Sequence, residues 1–183
     1  MAFGFKYLRE EAVLPDSFDC GVPELNEFLR DDARRFVKQG LSAVRLLVDM
    51  DNEQVAGFYA ISPLSVEASR LSEAQRAAYN VAFPIPAWLV GRLAVDKKYQ
   101  QRHLGASLLL DAMNNIRKRS AQGAGALFIV DAKNKKIKAF YKKYGFTSLH
   151  SCSLRMFRPI DHRHPELAGA LRAGSAQTPQ VIY

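Results

Sequence analysis

A buried strand, a basic loop and a helix start follow one another between Gly91 and Ala106, and no other segment constrains the fold as much. The apolar run from Trp88 to Val95 predicts the strand. Leucine, alanine and isoleucine recur at helical spacing from Leu104 to Arg119, which predicts the helix. Free N–H groups at a helix start, reinforced by the helix dipole, hold phosphate oxygens. The segment therefore predicts an anion-binding turn, where the small residues Gly105 and Ala106 let phosphates approach the backbone.

Strand and helix patterns alternate along the rest of the chain. Pro23 suits the first turn of an amphipathic helix whose apolar face holds Leu25, Phe28, Leu29, Ala33 and Phe36. Asn134 is the expected N-cap of a later helix, which Gly145 ends as a left-handed residue. Short runs rich in β-branched and apolar residues predict strands at Phe5–Arg9, Ala43–Met50, Val55–Ile61, Ala126–Val130 and Ser153–Phe157. This order predicts a mixed α/β sheet with helices packed on it.

The length of 183 residues suits one domain, which we assign to residues 1–160. Residues 161–183 are small, polar and interrupted by proline, and they predict an appended tail with one helical turn. Residues 64–80 are ambiguous, with a short helix expected around Ser72 to Tyr79 before the breaker Phe83–Pro86. No apolar run reaches about 18 residues and no signal-peptide pattern occurs, so a cytoplasmic protein without a membrane partner is expected.

Cysteine and histidine residues are few and scattered. Cys20 and Cys152 are far apart, so we expect two ordinary, partly buried thiols and no disulfide framework. The four histidines have no spacing typical of a metal site, and no metal is expected; they are His103, His150, His162 and His164.

The net charge of +8 predicts a field that concentrates polyanions, such as a phosphate-rich cofactor, a nucleic acid or an acidic partner. Two segments hold much of this charge. The first contains Arg30, Arg34, Arg35 and Lys38, and the second contains Lys133, Lys135, Lys136, Lys138, Lys142 and Lys143. A solvated helix face explains each segment equally well alone, whereas the two together favour a polyanionic partner.

The loop from Gln100 to Ala106 resembles the acyl-CoA loop of the GNAT N-acetyltransferases, in which Gln or Arg precedes a glycine-rich turn after an apolar strand. Gln100 and Gly105 match the first and last motif positions, whereas His103 stands where the family usually has its first glycine. A side chain at His103 is expected to crowd the pyrophosphate or to strain the turn. The resemblance implies acetyl-CoA as cofactor, bound by Leu93, Ala94, Val95, Gln100, Gln101, Arg102, His103, Leu104, Gly105, Ala106, Ser107 and Asn134.

A second block, from Ala139 to Phe146, closely resembles the late helix of the same family with its FYxxxGF ending. The family fold is a mixed, mostly antiparallel sheet with splayed central strands and flanking helices. The resemblance implies that Tyr141 donates a proton to the departing CoA thiolate and that the strand before the loop pairs with the pantetheine arm. From periodicity alone, Tyr141 would be a core aromatic on the same stripe as Ile137 and Tyr144.

Most of the chain, from Phe5 to Pro159, resembles one branch of that family, the acetyltransferase toxins of bacterial toxin–antitoxin pairs. The shared pieces are Phe18–Gly21 before Leu25–Leu29, Gly57–Ser62, Pro84–Pro86 before Gly91–Asp96, and the FYxxYGF block. The resemblance implies acetylation of the α-amine of aminoacyl-tRNA, a translation block, a ribbon-helix-helix antitoxin and a homodimer. The residues of the two basic segments named above, except Lys143, are then the expected RNA contacts.

The substrate amine is also constrained by the carboxylates. An α-amine with a pKa of about 7.7 to 8.0 loses its proton far more readily than lysine at about 10.4. Neither Glu53, in a predicted turn, nor Asp96, at a strand end, is a compelling general base, which favours an α-amine. Two alternatives stay open. One is a GNAT enzyme acting on a small-molecule or protein amine, and the other is a non-catalytic module that binds RNA or a partner.

Overall fold

The computed structural model describes residues 2–11, 14–15, 17–73, 77, 79–122, 125–149, 154–160 and 181–182. The chain divides into two compact units. The first unit comprises Met1–Ser62, Gly91–Ala112 and Gln177–Tyr183, and the second comprises Pro63–Val90 and Met113–Ala176.

The first unit is built on the strand order β1-β2-β3-β4. Its strands are β1 (Phe3–Tyr7), β2 (Ala43–Asp49), β3 (Gln54–Val66) and the end of β4 (Ile85–Val95). Antiparallel β1–β2 and β2–β3 pairs form, and the β2–β3 hairpin turns through residues 51–53, as the sequence predicts. Strand β3 extends five residues beyond the predicted end at Ile61. The extension was missed because these residues include polar side chains and show no strand pattern.

The predicted amphipathic helix is interrupted. Helix α1 (Pro23–Glu27) passes into a π-helical turn (Phe28–Asp32) and then into α2 (Ala33–Lys38). The wider turn is closed by the Ala33 N–H, which donates to the Phe28 carbonyl. Both Phe28 and its neighbour Leu29 are buried, and the guanidinium of Arg92 lies 3.8 Å from the centroid of the Phe28 ring. Prediction of a single regular helix was wrong at this turn.

Apolar side chains from both halves of this helix and from the strands form the core of the first unit. Phe58 is fully buried and packs edge-on against Phe18, with ring centroids 5.6 Å apart. Gly57 allows the strands to approach, since a Cβ there would lie 2.7 Å from the Ala94 carbonyl oxygen and 2.9 Å from Cδ1 of Leu108. Any larger residue at position 57 would therefore clash with these atoms.

The second unit has the strand order β3-β4-β5-β7-β6. Strand β5 (Leu127–Asp131) is parallel to β4, whereas β7 (Arg155–Pro159) and β6 (Thr147–Ser148) continue antiparallel. A parallel pair needs a crossover, and α3 (Leu104–Ser120) lies in that connection, one residue longer than predicted. The mixed, mostly antiparallel sheet with helices is the fold class that the sequence predicts.

Strand β4 begins at Ile85, inside the segment predicted to break the chain. Pro86 lacks an N–H donor, but its carbonyl accepts a hydrogen bond from the Ala126 N–H at 2.7 Å, so proline remains compatible with the strand. The strands β5 and β7 are shifted by one and two residues from their predicted starts, and β1 begins two residues early. The two-residue β6 was missed because it is too short to produce a pattern.

Local capping signals were more reliable. Helix α4 (Lys135–Lys143) begins where the Asn134 side chain accepts the Ile137 N–H at 3.0 Å, which confirms the predicted N-cap. Gly145 has φ of +80°, the left-handed conformation expected after the helix. Residues 73, 77 and 79 are helical, whereas 74–76 and 78 of the predicted short helix lie outside the described residues.

The predicted tail contributes one described element, β8 (Val181–Ile182), which pairs antiparallel with β4. The helical turn predicted within 161–183, Cys152 and the histidines after His103 lie outside the described residues. Cys20 is buried, as a free thiol. Within the described ranges, no helix is long and apolar enough to cross a membrane, and no cluster of three metal-ligating side chains occurs.

Candidate active site

The loop between β4 and α3, predicted to bind phosphate, is a 3-10 turn followed by the start of a long helix. The turn spans Lys97–Tyr99, and the His103 carbonyl accepts the N–H groups of Ala106 and Ser107 at 3.0 and 3.3 Å. His103 therefore acts as the N-terminal cap of the 17-residue helix α3. The amides at this helix start point away from the helix body and, with the dipole, suit phosphate oxygens.

Two residues of this loop adopt left-handed backbone conformations, Gln101 with φ of +63° and His103 with φ of +59°. A residue with a Cβ costs about 1–2 kcal/mol there, whereas glycine costs little. Glycine suits the position of His103 because the backbone there is left-handed. The strain that the sequence predicts for this turn therefore arises from the positive φ of His103.

The remaining predicted loop residues follow in one run of the first unit. Gln101, Arg102 and His103 are exposed, whereas Leu104, Gly105 and Ala106 are buried and Ser107 is half-buried. The Arg102 guanidinium lies 5.8 Å from the centroid of the Tyr99 ring. The three side chains before the helix are thus open to solvent, whereas the first residues of the helix are covered.

Gln100 uses its side-chain amide within the protein. Its Nε2 donates to the carbonyl oxygens of Cys20 at 3.1 Å and Val95 at 3.0 Å. The side chain thus links the segment before α1 to the end of β4. The sequence places Gln100 among the cofactor-binding residues, and its side-chain donors are engaged by the protein's own carbonyl groups.

Asp19 reinforces the same link. The Asp19 N–H donates to Asp96 Oδ2 at 2.9 Å, and the Lys97 N–H donates to the Asp19 carbonyl at 2.8 Å. The Lys97 ammonium lies 2.6 Å from Asp19 Oδ2. The hydrogen bond from Lys97, with those from the Gly21 N–H and the Asn26 side chain, lowers the pKa of Asp19 to about 2. Sequence patterns did not single out these contacts, although Asp19, Gly21 and Asn26 belong to the quoted motif.

The end of β4 holds Leu93, Ala94 and Val95, whose side chains are all buried. Pairing of β4 with β5 stops at Val90, and Leu93 and Ala94 instead pair with Ile182 and Val181 of β8. These are two of the three positions that the sequence assigns to the pantetheine arm. Backbone groups paired with β8 cannot pair with a pantetheine arm at the same time.

Tyr141 lies in the second unit, on α4, and its side chain is fully buried. Its ring packs against Phe140 and Phe146, with centroids 5.5 and 5.6 Å away. Among the described residues its hydroxyl has no hydrogen-bond partner. A buried hydroxyl without a partner is costly, and such a group in a native protein is a candidate for contact with a ligand.

The protonation state of Tyr141 follows from this environment. Burial, followed by the negative charge of Asp131, raises the pKa of Tyr141 well above its usual value. The hydroxyl therefore keeps its proton at neutral pH and can donate it. Asp131 itself is held by Arg155 in a bidentate pair at 2.6 and 2.7 Å.

Four lysines of α4 form an exposed basic surface, which we call the lysine face: Lys135, Lys136, Lys142 and Lys143. No ion pair involves these four among the described residues. Lys133 is also exposed, and Lys138 is half-buried. Asn134, predicted to bind cofactor, is exposed and its side-chain oxygen caps the same helix.

The basic residues of the first helix pair are arranged differently. Arg30 lies 2.8 Å from Asp31, Arg35 pairs with Asp32, and Lys38 lies 3.8 Å from Glu10. Arg34 is exposed and also has an interaction partner. Local carboxylates therefore offset most of the positive charge that the sequence places on this segment.

The two carboxylates considered as general bases lie in different surroundings. Glu53 is exposed at the end of the β2–β3 turn with φ of +55°. Asp96 is buried, and its side chain accepts the Lys98 and Asp19 N–H groups, so it caps the 3-10 turn that follows β4.

A partly buried polar network that the sequence patterns missed crosses the first unit. Asp111 on α3 accepts hydrogen bonds from the Tyr59 hydroxyl at 2.7 Å and from Arg45 at 2.8 and 3.0 Å. The network fixes α3 to β2 and β3, and so fixes the helix whose start forms the loop. No local signal reveals it, because its members are far apart in sequence.

Comparison with known proteins agrees with the geometry. The family model described as an acetyltransferase (GNAT) domain matches residues 42–148. A Mycobacterium tuberculosis protein named tRNA-acetylating toxin is 36% identical over 134 residues, which are 71% of this chain and 76% of the relative. The structure of AtaT complexed with acetyl-methionyl-tRNAfMet has a TM-score of 0.77 at 27% identity, covering 86% of this chain and 95% of that one.

A further solved structure is a tyrosine-to-phenylalanine mutant of the AtaT toxin bound to the C-terminus of the antitoxin AtaR and to acetyl-CoA. It has a TM-score of 0.71 at 27% identity and covers 86% of this chain and 93% of that one. The similarity thus extends over nearly the whole length of the solved chains.

Proposed function

Because the chain belongs to the GNAT acetyltransferases, in the branch that includes the tRNA-acetylating toxins, we propose that it acetylates the α-amine of aminoacyl-tRNA and thereby blocks translation. The donor is acetyl-CoA, which accompanies a structurally similar toxin. The observation that carries the catalytic assignment is the fully buried Tyr141 hydroxyl, which lacks a partner among the described residues.

Two parts of the protein, one in each unit, each suit one part of acetyl-CoA. The α3 start, with buried Gly105 and Ala106, suits a pyrophosphate, because backbone amides and the helix dipole favour anions there. The unsatisfied Tyr141 hydroxyl suits a group that accepts a proton. When bound, acetyl-CoA supplies an acetyl thioester whose sulfur leaves as a thiolate.

Tyr141 is the proton donor in this proposal. Its raised pKa keeps the proton on Oη at neutral pH until a thiolate develops beside it. The thiol has a reference pKa of about 8.5, so a phenol donor contributes a moderate factor, of about 10² to 10⁴ in rate. Burial and the charge of Asp131 would destabilise the phenolate left behind. The phenolate would therefore readily take up a proton, and the attacking amine releases one in the same reaction.

The α-amine fits a site without an available carboxylate base. Its pKa of about 7.7 to 8.0 leaves a substantial neutral fraction at physiological pH, whereas lysine at about 10.4 leaves very little. Asp96 is engaged in capping and Glu53 is exposed in a turn, so neither is required to remove the proton.

The lysine face is the proposed contact for tRNA. Phosphate contacts by lysine supply most of the sequence-independent affinity for nucleic acid. Arg30, Arg35 and Lys38 have carboxylate partners, so we assign them a smaller share of that affinity than the sequence suggested. The relative named tRNA-acetylating toxin and the AtaT complex with an acetylated tRNA support RNA as the substrate class.

The same comparisons support a protein partner. We propose an antitoxin that binds this chain, as AtaR binds AtaT. From the resemblance to the toxin branch, we further propose that it is a ribbon-helix-helix protein. We further propose a homodimer that acts in the cytoplasm, where charged tRNA is found. Residues 1–160 are proposed as the acetyltransferase domain and 161–183 as its tail.

The test is transfer of labelled acetyl from acetyl-CoA to purified charged tRNA, with uncharged tRNA and the Tyr141→Phe variant as controls. We expect label on charged tRNA only, with most of it lost in the variant. Label on small-molecule or protein amines instead would support the alternative enzyme. Absence of acetyl-CoA binding would support a non-catalytic module.

A further inference from the structure

Two segments distant in sequence are fastened together immediately before the predicted pyrophosphate loop. One is the segment Asp19–Gly21 with Asn26, and the other runs from Val95 to Gln100. Gln100 Nε2 bridges the carbonyl oxygens of Cys20 and Val95. Alongside, the Asp19 N–H donates to the Asp96 carboxylate and the Lys97 N–H donates to the Asp19 carbonyl. We call this set of contacts the loop brace.

The brace is itself held from behind. Asp19 Oδ1 accepts the Gly21 N–H at 2.8 Å and the Asn26 amide at 3.0 Å. Asn26 Oδ1 accepts the Cys20 N–H at 3.0 Å. The Asn26 side chain is therefore bonded to both Asp19 and Cys20 in the bend Asp19–Gly21. The bend therefore presents the Cys20 carbonyl to Gln100 in a fixed position.

The loop that follows needs such support. Gln101 and His103 both adopt left-handed backbone conformations although neither is glycine. Conformations of this kind persist only where the surroundings over-determine them. The brace ends at Gln100, one residue before the left-handed Gln101. No glycine lies between Gln100 and His103 to adopt the positive φ angles without strain.

We propose that Gln100 is a positioning residue, which acts through the brace to hold the loop amides in the geometry that binds the pyrophosphate of acetyl-CoA, and does not contact the cofactor through its side-chain amide. The proposal rests on the proposed use of acetyl-CoA. It gives the Phe18–Gly21 motif a role in cofactor binding, although that motif lies about 80 residues from the loop in sequence.

A donor is the chemical requirement at position 100. Both acceptors are carbonyl oxygens, so a side chain with N–H groups at its end can form the bridge, and an apolar side chain of similar length cannot. Gln100→Met removes the donors and keeps the volume, whereas Gln100→Arg keeps donors. Since two hydrogen bonds are lost, we expect Gln100→Met to weaken CoA binding by about tenfold.

The experiment measures the Kd of CoA by calorimetry, and the KM and kcat of acetyl transfer, for the full chain and both variants. The expected result is a KM for acetyl-CoA that rises with the Kd in Gln100→Met, with kcat within about twofold and recovery of most of the affinity in Gln100→Arg. Ser42→Ala is the matched control, because it removes the 2.7 Å Ser42–Ser62 hydrogen bond away from the loop. That control should lower the melting temperature and leave the Kd of CoA unchanged.

An unchanged Kd of CoA in Gln100→Met overturns the proposal, and so does a loss that Gln100→Arg fails to restore. If Gln100→Met does not fold, Asp19→Asn tests the same brace at the half-exposed ion pair of Asp19 with Lys97. In that variant we expect the Kd of CoA to rise by about threefold, and an unchanged Kd overturns the proposal. Failure of the unmodified chain to bind CoA would instead refute the proposed function on which the brace depends.

Discussion

Replacement of Tyr141 by phenylalanine should stabilise the fold and abolish most of the activity, which is an unusual combination. The hydroxyl is fully buried and has no hydrogen-bond partner among the described residues, so the native state bears its desolvation. Such a group costs about 1–3 kcal/mol, and phenylalanine fills the same space without it. We expect the free energy of unfolding to rise by about 1 kcal/mol, or roughly 2–4 °C in melting temperature for a chain of this size.

Tyr59 offers a matched control, because it is equally buried but its hydroxyl donates to Asp111 at 2.7 Å. Tyr59→Phe leaves Asp111 with one donor fewer and should lower the free energy of unfolding by about 1–3 kcal/mol. Its acetyl transfer should persist. The two variants therefore predict stability changes of opposite sign from the same chemical substitution.

Acetyl transfer in Tyr141→Phe should fall by a factor of about 10² to 10⁴ in kcat, the range for loss of a positioned proton donor. The KM for acetyl-CoA should change little, since the loop brace is intact. Thermal unfolding and steady-state kinetics on the same preparations check both effects. A Tyr141→Phe variant that is destabilised like Tyr59→Phe and still transfers acetyl would refute the reasoning.

The pH dependence follows from the same burial. Burial and Asp131 raise the pKa of Tyr141, so its titration leaves the free energy of unfolding unchanged below the unfolded pKa of about 10 and lowers it as the pH rises from there through the higher folded pKa. Between pH 6 and 9 Tyr141 thus stays protonated. The rate should rise through about 7.7 to 8.0 as the α-amine loses its proton, and a decline near pH 9 that disappears in Tyr141→Phe would contradict the assignment.

Three further predictions concern the loop, the lysine face and β8. His103→Gly should raise the melting temperature by about 1–3 °C and lower the KM for acetyl-CoA, because glycine accepts φ of +59° without strain; a fall in melting temperature would contradict this. Glutamine at all four positions of the lysine face should reduce the salt slope of tRNA binding by about 3 without changing the KM for acetyl-CoA, whereas glutamine at Arg30 and Arg35 should have a smaller effect; equal effects would show that the lysine face has no special role. A chain ending at residue 176 lacks β8 and should bind CoA more tightly than the full chain, because Leu93 and Ala94 are then open to the pantetheine arm, and calorimetry showing equal Kd values would exclude competition.

The sequence was most informative where structure is determined locally. The Asn134 cap, the left-handed Gly145 and the Pro23 helix start depend on the residue itself and its immediate neighbours, and all three were predicted. The strand-loop-helix succession around the loop was predicted for the same reason. Local backbone chemistry is sufficient in each of these cases.

Contacts between distant segments could not be predicted in this way. The bridge from Gln100 to Cys20 and the network of Asp111 with Arg45 and Tyr59 join residues whose separation in sequence hides their proximity. The π-helical turn also escaped, since its apolar spacing fits a regular helix. By contrast, the offset charge of Arg30 could have been foreseen, because its partner Asp31 is the next residue.

The most direct test of the central claim is the chemical position of the transferred acetyl group. Charged tRNA is incubated with the protein and acetyl-CoA and digested with nuclease, and the aminoacyl-adenosine terminus is analysed by mass spectrometry. We predict a terminus that is heavier by one acetyl group on the α-amine, and no product when the amine has been acetylated beforehand. An unmodified terminus, with acetyl transferred to another amine under the same conditions, would contradict the account.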